Sequence, residues 1–266
     1  MPGDRRVTLK SLGQIDKMAV AGRLVSDVLD RLGSELKPGM TTLELDRIAE
    51  EMIRGAGGIP SFIGVPGRLA PYRHSLCISI DDEIVHGVPG SRRIRDGQLV
   101  SIDAGAIVDG WHGDAARTFI VGAVPERVRE LVSATERAMY AGIAAAVPGN
   151  HLSDISGAIE DVAREDGYGV IRAFVGHGIG TEMHEEPQVT NYRTGTKGRL
   201  IEPGLCLAIE PMFTLGSFGV RIREDGWTVV TADGTLAAHW EHTIAVLPDG
   251  PHILTRNLGI ATADAA

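Results

Sequence analysis

The sequence predicts a mixed α/β protein of the α+β kind, built from two duplicated halves whose sheets join across a pseudo-twofold axis. Three observations carry this reading. The order helix, Pro-Gly, helix, strands occurs twice along the chain. Pro38-Gly39 and Pro148-Gly149 lie 110 positions apart, as do Leu45 and Ile155, and Gly57 and Gly167. Farther on, Asp96 to Asp103 resembles Pro203 to Glu210 at an offset of 107. The duplication makes Asp103 and Glu210 counterparts, each a carboxylate closing an apolar strand.

Taken in order, Ile15, Met18, Gly22, Val25, Leu29 and Leu32 recur at spacings of three and four, which predicts an amphipathic helix. Lys37-Pro38-Gly39 breaks it. Thr41 and Glu44 form a capping box opening a second helix, which ends at Gly55 to Gly58. A loop over Pro60 to Ser75 leads to strands at Leu76 to Ile80 and Ile84 to His86. Val100, Ile102, Ala104 and Ala106 then alternate with Ser101, Asp103 and Gly105. After Asp109-Gly110 the chain returns through Thr118 to Val121, the pattern of a β-hairpin that brings Asp103 near Asp114. In the second half, Pro125 suits the first position of a helix whose face is Val128 to Ile143, and the next helix carries Ile155, Ala158, Ile159 and Val162. Residues 1–10 read as a tail, 11–250 as one domain with repeats 11–123 and 124–250, and 251–266 as a second tail.

Composition excludes several function classes. Thirty-five acidic against 26 basic residues give a net charge of −9 without a Lys/Arg cluster, which disfavours a DNA partner. No apolar run approaches the length of a membrane span, and MPGDRRVTLK lacks the core of a signal peptide. Two cysteines, Cys77 and Cys206, make no disulfide framework and suit a reducing cytoplasm.

The chemistry gathers in five groups. Two bare carboxylates, Asp103 and Asp114, in an apolar hairpin repel each other and are costly to desolvate, so a cation is expected between them. The glycine-rich stretch Gly176 to Pro187 adds His177 and His184, whose spacing of seven indicates different roles. Glu210 and Glu241 stand at further strand ends. A lone histidine or glutamate of this kind is usually solvated, but five in a duplicated fold point to a metal. Oxygen donors with one imidazole suit Mn²⁺, Fe²⁺, Co²⁺ or Zn²⁺. Four carboxylates can neutralise two such ions, which at a separation of about 3.5–4 Å activate water and stabilise an oxyanion. The expectation is a dinuclear hydrolase.

The motifs GHGIGTEMHEEP, IDAG, HGDAARTF, IEPM and EHT resemble those of the type I bacterial methionine aminopeptidases, over about Ile15 to Leu247. The resemblance implies the pita-bread fold, a central antiparallel sheet with helices on its outer face, as a single catalytic domain. It implies Asp103, Asp114, His177, Glu210 and Glu241 as ligands of two divalent ions (Co, Mn, Fe or Zn). Asp114 and Glu241 would bridge, with Asp103 on one ion and His177 and Glu210 on the other. Glu210 would shuttle the proton, His184 would stand near the scissile carbonyl, and His86 would contact substrate. Cys77, Trp227 and Phe62 would line the methionine pocket. The substrate implied is the N-terminal Met of nascent polypeptides with a small second residue. A cytoplasmic monomer is expected, transient ribosome contact is left open, and neither DNA nor a membrane is a partner.

One departure is the loop Gly64 to Ser75, several residues longer than the family's short connection, so residue-by-residue transfer stops between Phe62 and Ser75. The alternatives are a proline-directed (Xaa-Pro) peptidase and a non-catalytic binding protein of the same fold. The first generally carries an extra N-terminal domain that 266 residues do not accommodate, and the second typically loses ligands that are all present here.

Overall fold

The computed structural model describes residues 7–256. Ser11 caps α1 (Leu12–Glu35) with a reciprocal bond pair to Gln14. Thr41 and Glu44 cap α2 (Thr42–Gly55) in the same way, as the sequence predicts. The strands of the first half are β1 (Ile59–Pro60), β2 (Leu76–Ile80), β3 (Glu83–Val85), β4 (Gln98–Val108) and β5 (Trp111–Val121). The second half has α3 (Glu126–Ala145), α4 (Leu152–Asp166), β6 (Gly169–Val170), β7 (Gly176–Gly178) and β8 (Glu185–Val189). It continues with β9 (Cys206–Ile209), β10 (Met212–Thr214), β11 (Val220–Ile222), β12 (Val229–Thr231) and β13 (Ala237–His239). β14 (Glu241–Leu247) and β15 (Gly250–Ile253) are the last described strands.

Nine strands form one antiparallel sheet in the order β1-β4-β5-β14-β9-β7-β8, with β2 added on β4 and β15 on β14. Two three-stranded sheets, β13-β10-β6 and β11-β12-β3, complete the fold. The duplication is visible in individual bonds. The Gly39 N–H donates to the Ile94 carbonyl at 2.8 Å, and the Gly149 N–H to that of Ile201 at 3.0 Å. Thr41 bridges Arg93, and His151 bridges Leu200. Gly39 and Gly149 adopt φ of 94° and 95°, a left-handed conformation that favours glycine after the proline break. These pairs keep the offsets of 110 and 107 read from the sequence.

Pleating assigns the two sheet faces. Val100, Ile102, Ala104 and Ala106 pack with Val25, Leu29 and Leu32 of α1 and Leu45 of α2 in one buried cluster. Leu207, Ile209, Ile244 and Val246 pack with Leu131, Ala138 and Ile155 of α3 and α4 in another. Each fully buried leucine contributes roughly 1.5–3 kcal/mol relative to exposure. Because side chains alternate, the residues between these point to the opposite face, away from the helices.

Several boundaries differ from the sequence expectation. Pro125 is the N-cap of α3 rather than its first residue, a shift of one position. Ile84-Val85-His86 ends at Val85 as a strand, because His86 turns to φ 60°. Residues 251–253 are no tail: β15 pairs with β14, and Thr255 is buried, its hydroxyl 2.8 Å from His242 Nδ1. At the other end, Lys10 is buried and its N–H donates to the Gly204 carbonyl at 2.7 Å, so the expected tail is anchored there. Both segments are too short to show apolar periodicity, although Val7 and Ile253 pack against one core cluster and Leu254 lies in another.

Candidate metal centre

The five expected ligands share one face of the large sheet. Asp103 of β4 stands opposite Ala116 of β5, which stands opposite Glu241 of β14. Asp114 lies two residues before Ala116 and so shares its face. Ile209 pairs with His242, which brings Glu210, just beyond β9, beside Glu241. His177 pairs with Ala208, two residues before Glu210 and on the same face. Asp103 and Asp114 therefore sit within long strands rather than at strand ends, a correction to the sequence reading. Both strands run through the cavity floor, and apolar patterning alone does not reveal where they leave the core.

Distances bring the groups together. His177 Nε2 lies 3.5 Å from Glu210 Oε1. One donor atom each from Asp114, His177 and Glu241 lie within 4.8 Å of one another. His177 Nδ1 is 2.9 Å from the Gly178 carbonyl, which fixes Nδ1 as the protonated nitrogen and leaves the Nε2 lone pair facing the carboxylates. Among the described residues, Asp103 Oδ1, Asp114 Oδ1 and Glu241 Oε1 are buried with no hydrogen-bond partner. Buried carboxylate oxygens left this way are costly, and a divalent ion satisfies them. The donor set fits one.

Electrostatics agree. Burial first, and repulsion from neighbouring carboxylates second, push Asp114, Glu210 and Glu241 well above the usual carboxylate range. Burial also raises Asp103, to about 7. Burial and then the neighbouring His184 lower His177 to about 3, so its imidazole is neutral at physiological pH.

A cavity of about 190 Å³ opens on these groups and extends to an apolar wall. Phe62, Tyr72 and Cys77 form a buried cluster there, joined by Val65, Met183 and Trp227. Cys77 pairs with Asp103 across β2 and β4 and lines the cavity. Gly105, opposite Asp114, makes room for the wall, since a Cβ there would lie 3.0 Å from Phe62 Cε1. His184 sets its ring edge-on to His177 at a centroid distance of 4.4 Å. His86 is held at positive φ with its ring edge-on to Phe174 at 5.3 Å. Burial and then His184 lower His86 to about 4, and burial lowers His184.

Every site residue expected from the sequence lines this cavity, but other lining residues were missed. Tyr72 lies in the long loop, where its hydroxyl donates to the Leu76 carbonyl at 2.9 Å and its ring meets Trp227 at 4.9 Å. The same loop accepts the Trp227 indole N–H at the Ala70 carbonyl, 3.2 Å away, and so braces the pocket wall. His239 places Nε2 3.9 Å from Glu210 Oε2. It ends β13 two residues before Glu241 opens β14, and that closeness in sequence to an expected site residue was the usable signal.

A duplicated α+β fold with buried, unpartnered carboxylates and a neutral imidazole around one cavity defines a metal-dependent hydrolase. The pita-bread architecture and the matching family model narrow the class. The chain belongs to metallopeptidase family M24, whose model matches residues 16–247, and within it to the methionine aminopeptidases. It is 47% identical over 249 residues to a methionine aminopeptidase of Clostridium perfringens, covering 94% of this chain and 98% of the relative. The crystal structure of methionine aminopeptidase from Rickettsia prowazekii superposes with a TM-score of 0.90 at 35% identity, covering 94% of this chain and all of that one. Prolidase from Pyrococcus furiosus shares the fold alone, with a TM-score of 0.76 at 23% identity over 93% of this chain and 65% of its own. No described helix is long and apolar enough to cross a membrane.

Proposed function

We propose that this chain hydrolyses the bond after an N-terminal methionine with two divalent ions, preferring a small second residue. One observation carries the reading: the unpartnered carboxylates and the apolar wall of Phe62, Tyr72, Cys77, Met183 and Trp227 share a single cavity. Asp103, Asp114, His177, Glu210 and Glu241 would hold the ions, with Asp114 and Glu241 proposed to serve both. When bound, the ions supply Lewis acidity and an activated water.

The remaining chemistry belongs to side chains. The thioether offers little hydrogen bonding, so an adaptable apolar wall is the fitting receptor for methionine. His184, kept neutral by burial, donates an N–H to the scissile carbonyl as negative charge develops on its oxygen. His86 contacts the substrate backbone from its fixed turn. Glu210, which faces the cavity, accepts a proton from the attacking water and passes it to the leaving amine. Fe²⁺, Mn²⁺, Co²⁺ and Zn²⁺ all suit the donor set. A monomer acting in the cytoplasm on nascent chains fits the reading.

The test pairs metal analysis with peptide assays. Release of methionine from a Met-Ala peptide, with two ions per chain at full activity, is expected. Turnover of an Xaa-Pro peptide with none of Met-Ala would transfer the site to the proline-directed branch.

A further inference from the structure

His184 and Met183 both line the cavity, yet they project from a short loop, residues 179–184, rather than from a strand. That loop is closed at its base by the pairing of Gly178 with Glu185. The Glu185 side chain turns back into the loop, where Oε1 accepts the Glu182 N–H at 3.3 Å. Its other oxygen accepts from Lys10 Nζ at 2.5 Å and from the Thr8 hydroxyl at 2.8 Å. Lys10 is itself pinned, its backbone N–H donating to the Gly204 carbonyl at the entry to β9. Gly180 leaves the space for this pair, since a Cβ there would lie 2.5 Å from Glu185 Oε1 and 2.6 Å from Lys10 Cε.

The Lys10 and Glu185 side chains are only 4% and 13% exposed. A buried ion pair is a poor source of stability, because desolvation offsets most of its attraction. It is a good device for holding geometry, because both partners have little freedom to leave. The pair ties the N-terminal segment, β9 and the His184 loop into one unit, although neither Lys10 nor Glu185 lines the cavity.

We propose that Lys10 is a positioning residue for His184, acting through Glu185. The proposal rests on the role given to His184 above. With the clamp formed, the loop holds the His184 ring against His177 and within reach of the carbonyl. With it broken, the loop loses its tie at Glu182 and the imidazole is displaced from the reacting bond. Misplacement of this kind reduces turnover more than binding.

The experiment makes Lys10→Met and Lys10→Arg in the full chain, alone and with His184→Ala. Metal content, Tm, kcat and KM on a Met-Ala peptide are then compared for the metal-loaded proteins. Lys10→Met is expected to keep its metal and to lower kcat about ten- to a hundredfold, with KM changed less than about threefold. Lys10→Arg should restore most of kcat, because it returns the charge and donors to Glu185. With His184→Ala in place, Lys10→Met should lower kcat by less than about twofold further, as expected for two changes acting through one group. A lowered Tm with kcat intact overturns the proposal, as does a full additive loss in the double variant. If Lys10→Met does not fold, Glu185→Gln enters the same cycle with the same criteria. Undiminished kcat in His184→Ala overturns both the clamp and the His184 assignment, whereas additivity beside a damaged His184→Ala overturns the clamp alone.

Discussion

Asp103 of β4 and Glu241 of β14 stand on either side of Ala116 of β5, each directly opposite it in the ladder. Adjacent strands lie about 4.8 Å apart, so the two acidic residues are about 10 Å apart at the backbone and lean over one methyl group. The residue between them carries only a methyl group on the face the two acids share. Ala116→Leu should fill the space between the two acids and abolish metal uptake while preserving the fold. Isothermal titration with Mn²⁺ measures it, and unchanged stoichiometry would refute the placement of the site.

Metal dependence follows from the same geometry. Exhaustive chelation should remove peptidase activity, and a divalent ion should restore it. Asp114→Asn should lose more than Asp103→Asn if, as proposed, Asp114 helps hold both ions and Asp103 only one. Metal content by elemental analysis, read beside kcat/KM, decides the order.

His184→Ala should separate binding from chemistry. A donor whose bond strengthens as the carbonyl gains charge is worth on the order of 10²–10³ in kcat, with little change in KM. Steady-state kinetics on a metal-replete variant checks this, and an unchanged kcat would reassign His184.

The cysteines differ in access. Cys77 is 6% exposed and lines the cavity, whereas Cys206 is fully buried. Burial raises both thiols, Cys206 to about 12, so both should react slowly at neutral pH. A thiol reagent should still label Cys77 first, and a methionine-mimicking inhibitor should slow that labelling. Mass spectrometry of the labelled peptides reads the order, and prior labelling of Cys206 would remove Cys77 from the pocket.

The metal-free protein should lose stability as pH rises through about 7. Asp103, raised to about 7, and Asp114, Glu210 and Glu241, also raised well above the usual carboxylate range by burial and then by neighbouring carboxylates, hold protons in the folded state that the unfolded chain releases near pH 4. A raised carboxylate contributes stability below its unfolded value, near 4, and loses it as pH passes the folded value. The buried histidines His177 and His239, lowered to about 3, act oppositely, but their contribution is complete once pH exceeds about 6.5. Near pH 7 the carboxylates therefore set the sign. Bound ions replace those protons, so the Tm gap between loaded and metal-free protein should widen across this window. Calorimetry at several pH values tests it.

Much of the fold was legible in the sequence because it is written in local signals. Helix periodicity, capping boxes, the Pro-Gly breaks and the Asp109-Gly110 reversal are each specified within a few residues, and their repetition at fixed offsets exposes the duplication. The five acidic and imidazole groups were legible for a related reason: such groups are conspicuous in strands that otherwise bury apolar side chains. What tertiary structure decided were relations between distant segments. Register placed Cys77 beside Asp103 and put Ala116 between two carboxylates, and no single strand's pattern contains its partner's alignment. The folded loop brought Tyr72 to Trp227, although its length and composition read only as a departure from a shorter connection. Lys10 looked like part of a tail because one lysine near an N-terminus has no periodicity. Its partner, Glu185, lies 175 residues away, and only the assembled chain brings the two charges together.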